Sequence, residues 1–223
     1  MFKIFPIAVK TVSKDPVESG VEGVEVVYAD AATLTGRLRV KSGTGNAVSL
    51  GQNTKFRGNI TIQGNDNRIV FGENVDYKGQ VLVKGNGQLV EIGDHTTAAD
   101  VYILCQEQCD VRIGRHCMLS REIEIRTTDA HSVVSRSTGE RLNTAASIDI
   151  RDHVWISLGA VLSKGTFIAE DNIVGAMAFV SGSFEESGTI IAGVPAKVVK
   201  RDVTWDRRRK KKYTMQELSH WRR

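Results

Sequence analysis

The chain has 223 residues, 41% hydrophobic and 25% charged, which is enough for one sizeable domain and excludes an intrinsically disordered polymer. Aromatics make up 6% while Gly numbers 21 and Pro 3, so the core must come from small and β-branched aliphatics with many glycine turns, which disfavours a helical bundle. The net charge of +4 is uneven, because residues 201–223 carry nine Lys/Arg against three Asp/Glu.

Residues 1–40 are the least periodic part and are expected to form a cap over the first open edge of the repeat that follows. The apolar run of MFKIFPIAVK is broken by Pro6 and Lys10, and no apolar stretch of membrane-spanning length occurs, so neither a signal peptide nor a transmembrane segment is expected. Cys105, Cys109 and Cys117 are odd in number and lack a CxxC pair. They fit neither a disulfide framework nor a structural zinc site and point to the reducing cytoplasm.

From Val48 the chain repeats. VSLGQNTKF, IVFGENVDY, LVEIGDHTTA and DVRIGRHCML are in register, with Leu50, Phe71, Ile92 and Ile113 spaced by 21 residues. Within a copy an inward aliphatic or aromatic recurs about every six residues, as in Leu50, Phe56, Ile62 and Phe71, Tyr77, Val83. The three surplus residues of each repeat fall in Gly-, Asn- and Gln-rich segments at 42–46, 63–67, 84–88 and 105–109, as a bulged corner requires. The pattern breaks at 126–147 and resumes with an 18-residue step.

An α-helix has no period of six, and a simple strand gives no reason for glycine at fixed intervals. The spacing therefore predicts an all-β fold, a triangular parallel β-helix over 40–195 with a protruding loop at 126–147. Residues 196–223 form a basic C-terminal tail of helical and extended character. His95 and His116 occupy the slot of Asn53 and Asn74, and His153 matches it in IRDH, so all three are expected to be turn residues on a stacked corner.

Between Cys117 and Trp205 the segments CMLSREIEIRTTDAH, TGERLN, IDIRDHVWISLGAVLSKG, VGAMAFVSGS and IIAGVPAKVVKRDVTW resemble the hexapeptide-repeat acyltransferases. The likeness is strongest to the O-acetyltransferases of bacterial capsular polysaccharides, including polysialic acid. The resemblance implies a left-handed coil, a homotrimer with sites between neighbouring subunits, and transfer of acetyl from acetyl-CoA to a carbohydrate hydroxyl. It also implies residue roles. An alcohol is a poor nucleophile until its proton is being removed, and His131 matches the family's general base for that step.

Asp129 either orients that imidazole, binds the acceptor, or is an exposed loop carboxylate. Trp155 in HVWIS matches an aromatic wall beside the thioester and acceptor, the alternative being a corner packing residue. The main-chain N–H of Leu158 matches an oxyanion donor. Ala176, Ser181 and Gly182 match the positions that pair with the pantetheine arm. Lys197 and Lys200, after AGVP, match those that meet the nucleotide phosphates. Ser157, Arg151 and Ala169 replace glycines of the family pattern and Ser132 replaces a proline, which bears on the acceptor and the groove shape.

No two histidines are five residues apart, so the metal site that some β-helix enzymes carry is not expected. The run RRRKKK at 207–212 is either a solvated tail or a contact for a polyanion, an acidic polysaccharide or the anionic inner face of a membrane. Nucleic acid is the poorest fit, since the body is slightly acidic and has no recognition motif. The sequence leaves two rival functions open: an N-acetyltransferase acting on a nucleotide-linked amino sugar, and a catalytically degenerate scaffold.

Overall fold

A computed structural model describes residues 22–222 and shows a parallel β-solenoid closed by a C-terminal segment. The first face of the prism is one sheet of eight strands: Val24–Tyr28, Asn46–Leu50, Arg68–Phe71, Leu89–Ile92, Val111–Ile113, Ile148–Ile150, Phe167–Ile168 and Ser183–Phe184. The other two faces share a 12-stranded sheet. In the early coils a single long strand covers both faces, as in Thr33–Ser42, Lys55–Gln63, Asp76–Lys84 and Thr97–Gln106. Later the faces separate, the second into Met118–Leu119, Trp155–Ile156, Ile173–Val174 and Ile190–Gly193, the third into Ile123–Arg126, Val161–Leu162 and Phe179–Val180.

The bend in the long strands is a glycine requirement. Gly36, Gly58 and Gly79 pair with one another in register at φ between 128° and 149°. A β-carbon on Gly58 would lie 1.8 Å from the carbonyl oxygen of Gly79. In the fourth coil the partner of Gly79 is Val101, and the chain absorbs the change by a register shift of one residue. The Tyr77 hydroxyl donates to the Val101 carbonyl at 2.9 Å and closes that bulge.

The periodic aliphatics point inward as expected, with Leu50, Phe56, Ile62, Phe71, Tyr77 and Val83 all buried. Phe56, Phe71 and Tyr77 pack at centroid separations of 5.2–5.5 Å. The Asn-rich corners carry a buried ladder: Asn67 donates to the Asn46 side-chain oxygen at 3.0 Å, and the Gln88 N–H donates to that of Asn67 at 3.1 Å. The two Asn amides stay paired because each coil repeats the last, whereas the buried Gln88 side-chain oxygen finds no partner among the described residues.

The opposite corner takes a left-handed residue in each coil: Ala31, Asn53, Asn74, His95, His116, His153 and Asp171, at φ of 54–59°. The three histidines are therefore turn residues on a stacked corner. The His95 and His116 rings stack at 4.7 Å. Partial burial, then the neighbouring His95, His220, Arg115 and His153, push the His116 imidazole down to about 4, so the His116 ring is uncharged at neutral pH.

The N-terminal boundary differs from the sequence expectation. Val24–Tyr28 pairs in parallel with Asn46–Leu50, and Thr33–Ser42 with Lys55–Gln63, so residues 24–42 are a full coil and not part of a cap. The rest of the expected cap, residues 1–21, lies outside the described residues. The first coil is one residue longer than the next three, the surplus absorbed between Val40 and Ser42, and this breaks the 21-residue register.

The basic tail also differs from a solvated tail. After an antiparallel strand, Ala196–Lys200, the chain crosses to the histidine corner and ends in a short helix, α1 (Met215–Leu218), and a 3-10 turn, His220–Arg222. Trp205 and Trp221 are both 5% exposed and stack on either side of the His153 ring, at 4.3 and 4.6 Å. The Trp205 indole N–H donates to the His153 carbonyl at 2.8 Å. Among the described residues no helix is long and apolar enough to cross a membrane.

Candidate functional site

The interruption at 126–147 leaves the prism at the edge between the third and first faces. Thr127 and Thr128 are buried where the third-face strand ends, and the Thr128 hydroxyl donates to Glu107 at 2.6 Å. Arg141, on the returning limb, forks onto both Glu107 oxygens at 2.6 and 3.1 Å. Those two partners hold the Glu107 carboxyl below the usual carboxylate range. The limbs meet again where the Leu142 N–H donates to the Val133 carbonyl at 2.8 Å.

Asn143 ties the loop together. It is 9% exposed, accepts from the Val133 N–H at 2.7 Å, and donates to the Asp129 carboxylate at 2.7 Å and the His131 carbonyl at 2.8 Å. Lys164, from the same edge one coil later, pairs with the same Asp129 carboxylate oxygen. Lys164 and then Asn143 lower the Asp129 carboxyl from its ordinary value. The Asp129 carboxylate therefore bonds to Asn143 and Lys164, and among the described residues it makes no bond to the His131 ring. Its observed partners make it a brace for the loop through Asn143, a role that is not among the three open to it in the sequence.

The His131 side chain is exposed, and among the described residues its imidazole makes no hydrogen bond or ring contact. Its main chain is pinned while its ring stays open to solvent. That combination suits a group that must meet a substrate in a fixed place.

Trp155 stands outward on the second face, the side of the prism opposite the edge that carries His131. Its ring lies 6.2 Å from that of Trp205, a contact in keeping with the corner packing role. No contact within the described chain joins Trp155 to His131.

Leu158 and Ala176 follow the second-face strands of successive coils and stack on the edge between the second and third faces. The N–H groups beside them are engaged: Ser157 donates to Val174, Gly159 to Arg121, Gly175 to Ile191 and Met177 to Leu158, at 2.8–3.1 Å. The N–H groups of Leu158 and Ala176 donate to nothing among the described residues. Lys197 pairs in register with Ala192 at the end of this line, and Lys200 with Ile190, both exposed. Ser181 and Gly182 lie across the third face, on the edge of the His131 loop, so they do not join the Leu158–Ala176 line. Met177, on the Leu158 edge, and Phe179, next to it on the third face, are 66% and 40% exposed and form an apolar strip.

Cys105 and Cys117 are fully buried, and burial pushes both thiols up to about 12. They are packing residues. Among the described residues no three His, Cys, Asp or Glu side chains are placed to hold a metal ion.

Asn143, Lys164, Glu107 and Arg141 had no sequence signal beyond lying in polar turns. Their partners are 10 to 35 residues away, and nothing local marks an Asn or Glu as a loop clamp.

The chain matches no protein-family model. It is 32% identical over 192 residues to a polysialic acid O-acetyltransferase of Neisseria meningitidis, covering 86% of this chain and 89% of that protein. The solved structure of the polysialic acid O-acetyltransferase OatWY superposes with a TM-score of 0.77 at 28% identity, over 89% of this chain and 96% of that one. The polysialic-acid-specific acetyltransferase NeuO superposes at 0.65 with 25% identity, over 86% of this chain and 85% of that one. Likeness over most of the length of both chains, with a superposable solenoid, leads to one conclusion: this chain belongs to the hexapeptide-repeat O-acetyltransferase family that includes the polysialic acid O-acetyltransferases.

Proposed function

We propose that this protein transfers acetyl from acetyl-CoA to a hydroxyl of an acidic surface polysaccharide, with His131 as general base. The observation that carries the reading is the loop clamp, which fixes the His131 main chain through Asn143 and leaves the imidazole open. Acetyl-CoA supplies the activated acyl group as a thioester. His131 takes the proton from the acceptor hydroxyl as its oxygen attacks the thioester carbonyl, and returns it to the departing thiolate, so an acetyl ester and free CoA result. The free N–H of Leu158 is a donor for the charge that develops on the carbonyl oxygen. The free N–H of Ala176, the apolar strip at Met177 and Phe179, and the exposed Lys197 and Lys200 suit, in turn, an amide-bearing arm, its methylenes and a phosphate end.

The working site is shared between copies in a homotrimer. His131 and Trp155 lie on opposite sides of one prism, so a single chain does not bring them to one substrate, whereas a neighbouring copy can present Trp155 to His131. A complementation experiment tests this. His131→Ala and Trp155→Ala chains, each inactive alone, are co-refolded in equal amounts and assayed for CoA release. Random assortment around a symmetric ring restores about a quarter of the sites. Mixed oligomers with no recovered activity would remove the shared-site reading.

A further inference from the structure

The basic run at 207–212 is held in place at both ends, and its cations divide into two groups. Arg207 reaches back to the Thr97 hydroxyl at 2.7 Å and the Cys117 carbonyl at 2.8 Å. Arg208 pairs with Asp206 and Glu217, and Lys210 with Glu217. The Tyr213 hydroxyl closes the loop, donating to the Arg208 carbonyl and accepting from the Lys210 N–H at 2.9 Å. Thr214 and Glu217 complete a reciprocal cap on α1, and Trp205 and Trp221 fasten the two flanks to His153.

Arg209, Lys211 and Lys212 are exposed and have no carboxylate partner among the described residues. A flexible solvated tail would spread these three charges over many conformations. Here the fold presents them from one closed loop, and ordering cost at binding is already met. Their position is the second observation. The loop grows from Trp205, whose ring is 6.2 Å from that of Trp155. The loop that presents the three free cations therefore begins beside the Trp155 face.

We infer that Arg209, Lys211 and Lys212 form an exosite for the anionic polysaccharide, engaging repeat units outside the reacting one and selecting long acidic chains over short acceptors. The inference rests on the acidic-polysaccharide reading above and names the surface that would recognise such an acceptor. Repeating carboxylates along a chain displace counterions as they meet a fixed cationic cluster, so binding weakens steeply with salt.

The test is equilibrium binding of long-chain polysialic acid and of a sialic acid trimer to the full protein, across a salt series. The triple variant Arg209→Gln/Lys211→Gln/Lys212→Gln is compared with the charge-preserving Lys211→Arg/Lys212→Arg. The expected result is an affinity for the long chain lower by about tenfold or more at low salt in the triple variant, with a flatter salt dependence. The charge-preserving variant keeps wild-type affinity, and thermal melting confirms that both variants are folded. Equal long-chain affinity in wild type and triple variant overturns the exosite. So does a loss confined to vesicles of anionic phospholipid, which would make the loop a membrane contact. Acetyl transfer to the same polymer separates the two proposals: salt-dependent binding without transfer overturns the enzymatic reading and keeps the exosite, and transfer with binding insensitive to the triple variant does the reverse.

Discussion

Replacing His131 with alanine lowers the turnover of acetyl transfer by about 10²–10⁴-fold, the range a positioned general base contributes. The Michaelis constant for acetyl-CoA stays within about twofold, because an interaction made only in the transition state lowers kcat and not substrate binding. The fold is unaffected for a structural reason: Asn143 holds the main-chain carbonyl of residue 131, which alanine retains, and the imidazole makes no contact within the described chain. Steady-state CoA release, with thermal melting as the control, checks this. Wild-type turnover by a folded His131→Ala protein would remove the histidine from the chemistry.

Gly58→Ala is the largest stability loss expected from a single methyl group. The added β-carbon would sit 1.8 Å from the Gly79 carbonyl oxygen at a φ of 148°, a conformation costly to any L side chain. Its neighbours cannot yield, since the atom in the way is backbone of the next coil, itself in the ladder. Strain of ~1–3 kcal/mol joins the cost of forcing two coils apart, about 4 kcal/mol together, against a total stability of ~5–15 kcal/mol. The melting temperature should drop by roughly 8–16 °C for a domain of this size.

Gly87→Ala is the matched control. Its β-carbon meets nothing within 4 Å, so only the strain of its φ of 68° applies. A Gly58→Ala melting point no lower than that of Gly87→Ala would mean that the bend tolerates a side chain.

Much of this architecture is legible in the sequence because each coil repeats the chemistry of the last. Leu50, Phe71, Ile92 and Ile113 mark one inward column, and Asn53, Asn74, His95, His116 and His153 mark a left-handed corner that small polar and imidazole side chains tolerate. The first coil escaped the pattern because its step is one residue longer, and because Ala31 stands where later coils carry Asn, His or Asp.

The tail escaped for another reason. Its docking rests on Trp205 with His153 and on Arg207 with Thr97, pairs 52 and 110 residues apart, which no local periodicity reveals. The same holds for the loop clamp. His131 and Asp129 stand out beside a family motif, whereas Asn143 acquires its role only when the loop folds back on itself. Hence the candidate base was legible in the sequence, and its supports only in the folded loop.

Ester formation is the chemical event on which the function rests. After incubation of the protein with acetyl-CoA and an acidic capsular polysaccharide such as polysialic acid, mass spectrometry of the polymer gives the most direct test. The prediction is a mass increase of one acetyl group per modified residue, matched by release of CoA and removed by mild alkali. An acetyl group that survives mild alkali would mark an amide and a nucleophilic nitrogen, and would contradict O-acetylation.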